Sequence, residues 1–179
     1  HECADTCSPF EPLKFAKQAS GWMAKGDATK RTSRWDFLWL LTLFRHTRYP
    51  AGLRRIMRSL GHESGVLAPG EVLSWLDELE ALGVIRLKSG GFVWMHPGLK
   101  VLIREELKKD APPQNWQGRV FEIEFQIARW YGRLLLATGD PMAAVESVFH
   151  SLRAIQKCHD SQVDWNPTSA RQQSGIPCK

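Results

Sequence analysis

The sequence lacks any stretch of about 18 uncharged apolar residues, so no transmembrane helix is expected. Its most apolar run, Phe37–Phe44, spans eight residues and predicts a buried helix. No signal-peptide pattern stands at the start of the chain. The 4 cysteines, Cys3, Cys7, Cys158 and Cys178, lie near the two termini and are too few for a disulfide scaffold. We therefore expect reduced thiols, a cytoplasmic protein and no membrane partner.

The sequence offers one grouping with the chemistry of a metal site. Cys3 and Cys7 are separated by three residues and follow His1 closely, and thiolates and imidazoles are the ligands that zinc prefers. A structural zinc site needs a second ligand pair of matching spacing, and the sequence contains none. We therefore predict no metal site.

Motifs typical of enzymes are also missing. The sequence has no G-x-x-x-x-G-K-[ST] phosphate loop, no H-E-x-x-H zinc motif, no G-x-S-x-G elbow and no paired-cysteine zinc set. The histidines His46, His62, His96, His150 and His159 have no cysteine or serine partner at the spacing of a known motif. The chain by itself is therefore not expected to be an enzyme.

Helical periodicity dominates the 179 residues, 43% of which are apolar and 10% aromatic. Ser33 is expected to cap one helix, with Asp36 three residues later as in a capping box. The predicted helices are Phe10–Met23, Arg34–Arg48, Ala51–Leu60, Gly70–Leu82, Pro97–Leu107, Arg119–Ala137 and Met142–Cys158.

The periodicity changes once, directly after Gly83, which is expected to end a helix. Residues 84–88 alternate between apolar and polar, residues 92–95 form a second, apolar strand segment, and the glycine-containing segment 89–91 between them predicts a β-hairpin. Three helices followed by a hairpin are typical of a winged helix, in which the hairpin is the wing. The predicted fold class is therefore mainly α, a winged helix followed by an antiparallel helix pair that resembles one tetratricopeptide (TPR) repeat.

This pattern divides the chain into five predicted segments. They are an N-terminal helix and loop (1–32), the winged-helix domain (33–109), a proline-containing linker (110–117), the TPR-like helix pair (118–158) and a flexible tail (159–179). Because one helix pair cannot bury its own apolar face well, we expect it to pack on the winged helix or to begin a longer array.

The charge distribution bears on nucleic-acid binding. The net charge is +5, yet the predicted third helix, which a winged helix usually places in the major groove, carries acids only: Glu71, Asp77, Glu78 and Glu80. Sequence-specific DNA reading is therefore disfavoured. The basic residues lie elsewhere, and the candidates for binding an anion or a protein partner are Arg45, Arg48, Arg54, Arg55, Arg58 and, on the wing, Lys88. A solvated helix face explains the same arginines equally well.

His96 directly follows the second predicted strand and precedes a helix that begins at Pro97. Backbone N–H groups and the helix dipole favour an anion at such a place, and a terminal nucleotide phosphate would suit it. A capping or surface histidine is the alternative interpretation.

The segment Phe92–Glu105, FVWMHPGLKVLIRE, resembles the end of the winged-helix domain in STAND-class NTPases, the NLR-type signalling ATPases. In that family a histidine here contacts the β-phosphate of bound ADP and holds the closed state, and superhelical repeats follow the winged helix. The resemblance covers residues 33–158 and implies that His96 senses a nucleotide. Pro97 stands where the family has an aspartate, and the phosphate loop and magnesium-binding acid of the family have no counterpart in this sequence.

We therefore expect a non-catalytic regulatory or interaction module of a signalling or defence STAND NTPase, whose winged helix latches a nucleotide-binding domain. This chain alone would hold no cofactor, and ADP or ATP would enter only if an upstream nucleotide-binding domain were joined to it. The expected partner is protein, either that domain or oligomer neighbours. A winged-helix nucleic-acid-binding regulator and a protein–protein adaptor scaffold are the alternatives.

Overall fold

A computed structural model describes residues 11–45, 50–61, 70–89, 92–109 and 115–161. Within these residues the chain is mainly helical, with seven helices and one small antiparallel sheet, as the sequence predicts. The elements are α1 Pro12–Met23, α2 Ala28–Leu43, α3 Pro50–Ser59, α4 Glu71–Ala81, β1 Arg86–Lys88, β2 Phe92–Trp94, α5 Pro97–Lys109, α6 Trp116–Thr138 and α7 Pro141–Ser161. The chain divides into two compact units, His1–Gln114 and Asn115–Lys179.

Helix α2 forms the centre of the first unit. All ten residues from Trp35 to Phe44 are buried, so the helix is apolar on every side over this stretch, as expected of a helix surrounded by others. Helix α5 packs against α1 and α2, and Trp35 Nε1 donates a hydrogen bond to the Leu107 carbonyl oxygen at 3.1 Å. Helices α1 and α5, at the two ends of the unit, therefore both pack against the central helix α2.

The start of α2 differs from the prediction. The helix begins at Ala28, six residues before Arg34, and its N-cap is Asp27, whose carboxylate accepts from the Lys30 N–H at 2.8 Å. Ser33 lies inside the helix, fully buried, with its hydroxyl donating to the Thr29 carbonyl oxygen. The predicted Ser33 cap is therefore wrong, and the predicted boundary between residues 32 and 33 falls within α2.

The hairpin lies where the sequence predicts it, with shorter strands. β1 and β2 pair antiparallel, with Leu87 opposite Val93. Gly83 has φ of +72°, and the N–H of Val84 donates to the Leu79 carbonyl oxygen at 2.9 Å, which ends α4 with a left-handed residue as predicted. A Cβ on Gly83 would lie 2.6 Å from the Phe15 ring, so glycine is also required by packing.

The second unit is a pair of antiparallel helices, α6 and α7. Asn115 caps α6 through its side chain, which accepts from the Gly118 N–H at 3.3 Å, so α6 begins inside the predicted linker 110–117. α7 extends to Ser161, past the predicted end at Cys158 and into the predicted tail. No helix in the described ranges combines the length and apolar character that crossing a bilayer requires.

Candidate interaction site

Helix α7 carries a row of apolar side chains on its outer surface. Val145, Val148, Leu152 and Ile155 are 52%, 60%, 61% and 64% exposed. Their spacing of three, four and three residues places them along one side of the helix. We call these four residues the α7 stripe. Exposed apolar side chains are common singly, but a contiguous row on one face is typical of an interaction surface.

The opposite side of α7 faces α6 and is polar. Glu146 and His150 are 1% and 0% exposed, and the apolar residues buried beside them on α7, Ala143 and Ala154, are small. His150 lies roughly opposite the middle of the α7 stripe around the helix axis. The helix therefore buries its polar side and exposes its bulky apolar side, the reverse of an ordinary amphipathic helix.

A hydrogen-bonded cluster joins the two helices. His150 Nδ1 lies 2.5 Å from Glu124 Oε2 on α6, and its Nε2 lies 3.6 Å from Glu146 Oε2. Arg153 Nε donates to the other oxygen of Glu124 at 3.1 Å, and the Tyr131 ring stacks on the imidazole at 5.9 Å between centroids. We call Glu124, Glu146, His150 and Arg153 the Glu–His cluster. Because Glu124 is fully buried, its carboxyl group depends on His150 and Arg153 for hydrogen bonds.

Small side chains bring the helices together beside this cluster. Ser147 Oγ donates to the Ala128 carbonyl oxygen on α6 at 3.1 Å, and a Cβ on Gly132 would lie 3.5 Å from the same hydroxyl. Close contact of two helices through small residues leaves little room for large apolar side chains between them. The α7 stripe is therefore directed away from α6.

The sequence misses this arrangement. It predicts only that one helix pair buries its own apolar face poorly, without indicating which α7 residues stay exposed, and the structure leaves the four residues of the α7 stripe exposed. His150 has no partner at motif spacing in the sequence, yet the fold places it against Glu124, 26 residues away. The available signal was the acid and imidazole at Glu146 and His150, which share a helix face.

His96 lies where it was expected, at the start of α5, and it is exposed. Its Nδ1 accepts a hydrogen bond from the Gly98 N–H at 3.1 Å, and its ring meets Trp94 edge-on at 5.9 Å between centroids. The side chain thus acts as a helix cap, which fixes Nδ1 as an acceptor and leaves the hydrogen of a neutral ring on Nε2.

The structure groups some of the predicted basic residues. Arg54 is half-buried and Arg55 and Arg58 are exposed on the outer side of α3, whose inner side buries its apolar residues. Arg45 is exposed just after α2, and Arg48 lies outside the described residues. The Lys88 ammonium lies 5.5 Å from the centroid of the Trp94 ring, so it contributes a cation–π contact within the hairpin.

Two of the four acids on α4 serve as internal acceptors. Trp22 Nε1 donates to Glu78 Oε2 at 2.6 Å, and the Arg34 guanidinium lies 3.6 Å from the same oxygen. The Leu87 N–H donates to Glu80 Oε1 at 2.6 Å. Glu78 and Glu80 therefore also accept hydrogen bonds within the chain, while Glu80 stays exposed to solvent.

Within the described ranges, no group of three or more His, Cys, Asp or Glu side chains is arranged to hold a metal ion. The cysteines Cys3 and Cys7 with His1 lie outside those ranges. Comparison of the chain with models of protein families, with curated proteins and with solved structures finds no match.

Proposed function

We propose that this chain is a non-catalytic interaction module that binds protein through the α7 stripe. The observation that carries the proposal is the orientation of α7, which buries Glu146 and His150 and exposes the four large apolar side chains of the α7 stripe together with Met142. Burying charged groups costs free energy, and leaving apolar groups exposed loses the stabilisation that their burial would contribute. A partner that covers the stripe recovers the second of these terms.

The size of the stripe indicates a partner of modest affinity. Fully burying one such side chain contributes about 1.5–3 kcal/mol, so covering the exposed parts of all four contributes about 4–7 kcal/mol. Association costs at least about 4 kcal/mol in lost freedom of motion. The stripe alone therefore supports weak binding, and tight binding requires the partner to bury apolar surface of its own.

The finer architecture supports a regulatory role within a signalling ATPase of the STAND class. Helices α2, α3 and α4 followed by the β1–β2 hairpin have the element order of a winged helix, and the α6–α7 pair that follows has the order and turn of a TPR-like repeat. In the family that the sequence resembles, a winged helix latches the nucleotide-binding domain and helical repeats follow it.

His96 is the candidate contact to the nucleotide in this proposal. With Nδ1 accepting from Gly98, a neutral ring carries its hydrogen on Nε2, and that N–H can donate to a phosphate oxygen of ADP held by an adjoining domain. A charge-assisted hydrogen bond of this kind contributes about 1.5–3 kcal/mol, which is enough to bias a two-state latch.

Site-specific photo-crosslinking in cells of the source organism tests the interaction function. A photoreactive amino acid replaces Leu152 in the stripe or, as the matched control, Leu136 on α6, which is 87% exposed and lies outside the stripe. We expect one protein, identified from its crosslinked peptide, at Leu152 only, and its loss when Val148→Glu is added. Crosslinks to nucleic acid alone, or no difference between the two positions, would reject the proposal.

A nucleic-acid-binding regulator is the second candidate, and the outer side of α3 favours it. No described carboxylate forms an ion pair with Arg54, Arg55 or Arg58, so their charges are available to phosphates. Gel-shift titration with a DNA duplex at increasing salt tests it, and the double variant Arg55→Glu/Arg58→Glu should abolish any binding. Absence of binding at low salt ends this alternative.

A further inference from the structure

The residue spacing of the α7 stripe is the same in both directions along the helix. Its residues are spaced three, four and three apart, so an antiparallel copy places Val145 opposite Ile155 and Val148 opposite Leu152. Each valine then lies opposite a larger side chain, either Ile155 or Leu152. A two-fold axis near residue 150 generates this pairing, which is the condition for a self-complementary dimer interface.

The borders of the stripe carry no charge. Ala144 and Ser151 lie along one side, and Phe149 and Gln156 lie along the other. A two-fold interface brings each border residue near a border residue of the other copy, so like charges there would repel. The nearest charged side chain, Arg153, is bound to Glu124 on the same chain.

The side of α7 opposite the stripe argues against a lipid surface as the occupant. Helices that lie in a membrane interface usually carry lysine and arginine on their polar face, where these residues contact anionic head groups. The side of α7 opposite the stripe instead buries Glu146 and His150 against α6. It therefore does not present the cationic face that such binding uses.

We propose that the partner of the α7 stripe is a second copy of this chain, bound as an antiparallel α7–α7 dimer. This inference rests on the proposed interaction function and names its partner. From Val145 to Ile155 the stripe spans only about 15 Å, at a rise of 1.5 Å per residue. Such a contact buries less than the roughly 1,200 Å² of a standard interface, so we expect a weak dimer that dissociates on dilution.

Sedimentation equilibrium of the complete chain over a wide concentration range tests the dimer. We expect a reversible monomer–dimer equilibrium, weakened at least about tenfold by Leu152→Glu because it places an unpaired charge at the contact. The control Leu136→Glu makes the same change at an exposed leucine outside the stripe and should leave the equilibrium unchanged. A monomer at every concentration, or equal effects of the two variants, would overturn the inference.

Crosslinking tests the antiparallel arrangement. In a background with the native cysteines replaced by serine, chains carrying Val148→Cys and chains carrying Leu152→Cys are mixed and treated with a short bis-maleimide. The mixture should give the mixed dimer, and each variant alone should crosslink far less. Efficient crosslinking of Leu152→Cys to itself, without the mixed product, would overturn the antiparallel pairing.

Two further measurements separate this inference from the proposed function. If the complete chain stays monomeric while the photoreactive group at Leu152 captures a different protein, the dimer is rejected and the interaction function stands. If neither is seen, both are rejected. Co-sedimentation of monomeric chain with vesicles of phosphatidylcholine and phosphatidylserine, lost in Leu152→Glu, would overturn both in favour of a lipid surface.

Discussion

Replacing His150 by alanine tests whether the Glu–His cluster holds α7 in its orientation. Glu124 and His150 are both fully buried, and the imidazole provides one of the two hydrogen bonds that Glu124 receives within the cluster. The substitution removes the ring that lies between Glu124 and Glu146 and leaves a cavity lined in part by the Tyr131 ring. It therefore combines the loss of a buried hydrogen-bond partner with a packing defect.

The expected cost follows from the burial. Removing one partner of a buried pair typically destabilises a protein by about 3–5 kcal/mol. Each 1.4 kcal/mol is a factor of ten, so opening of the α6–α7 pair should become about 100-fold to 3,000-fold more frequent. The triple variant Glu124→Leu/Glu146→Leu/His150→Leu should cost less than His150→Ala, because no carboxyl group is left buried beside the missing ring and Arg153, which is 37% exposed, can be solvated.

Hydrogen exchange followed by peptide mass spectrometry on the complete chain measures this locally. We expect faster exchange in the peptides of α6 and α7, with the first unit as an internal reference. Gln117→Ala, at an exposed position on α6 outside the cluster and the stripe, serves as the control and should change the free energy of opening by less than about 0.5 kcal/mol. If His150→Ala matches this control, the cluster does not hold the pair and the reasoning fails.

Three smaller predictions concern the first unit. Gly83→Ala should destabilise the chain by about 2 kcal/mol or more in urea unfolding, because it adds a Cβ at positive φ and against the Phe15 ring; unchanged stability would contradict the packing. His96→Ala should cost about 1 kcal/mol through loss of the α5 cap, whereas His96→Asn should keep most of it, and equal losses would exclude capping. The hydrogen bond and charge of Lys108 lower the pKa of Glu105 below its ordinary value of 4.5, so its small stabilising effect is present above that value and is lost as pH falls through the lowered pKa. Lys108→Ala should move the pKa of Glu105 back up in an NMR titration, and an unmoved pKa would exclude this ion pair as the cause.

Most elements of the first unit could be predicted because their signals are local. The apolar run Phe37–Phe44 indicates a buried helix, and Gly83 followed by alternating residues indicates the turn into a hairpin. The start of α2 could not be predicted in the same way. Asp27 and Ser33 are both good capping residues, and the choice between them depends on how much of the helix the neighbouring elements cover.

The candidate site could not be predicted because periodicity does not say which face of a helix a neighbour covers. α7 has a bulky apolar side and a side with small and polar residues, and the first is normally expected to be buried. Glu124 decides otherwise, since its carboxylate is buried on the inner side of α6 and needs donors there. His150 and Arg153 supply them, and nothing in the linear spacing connects these two residues with position 124.

The opposition of His150 and the α7 stripe limits what a two-helix unit can bury. Because they lie roughly opposite each other around one helix axis, α6 can cover one of them and not both. Rotating α7 to pack Val148 and Leu152 against α6 would remove the apolar area of the stripe from solvent. It would also leave the buried Glu124 without its hydrogen bond to His150. The cost of an unpaired buried carboxylate is comparable to the gain from burying the stripe, and a surface that covered the stripe would favour the observed orientation further. The buried polar cluster and the exposed stripe are thus two consequences of one packing choice.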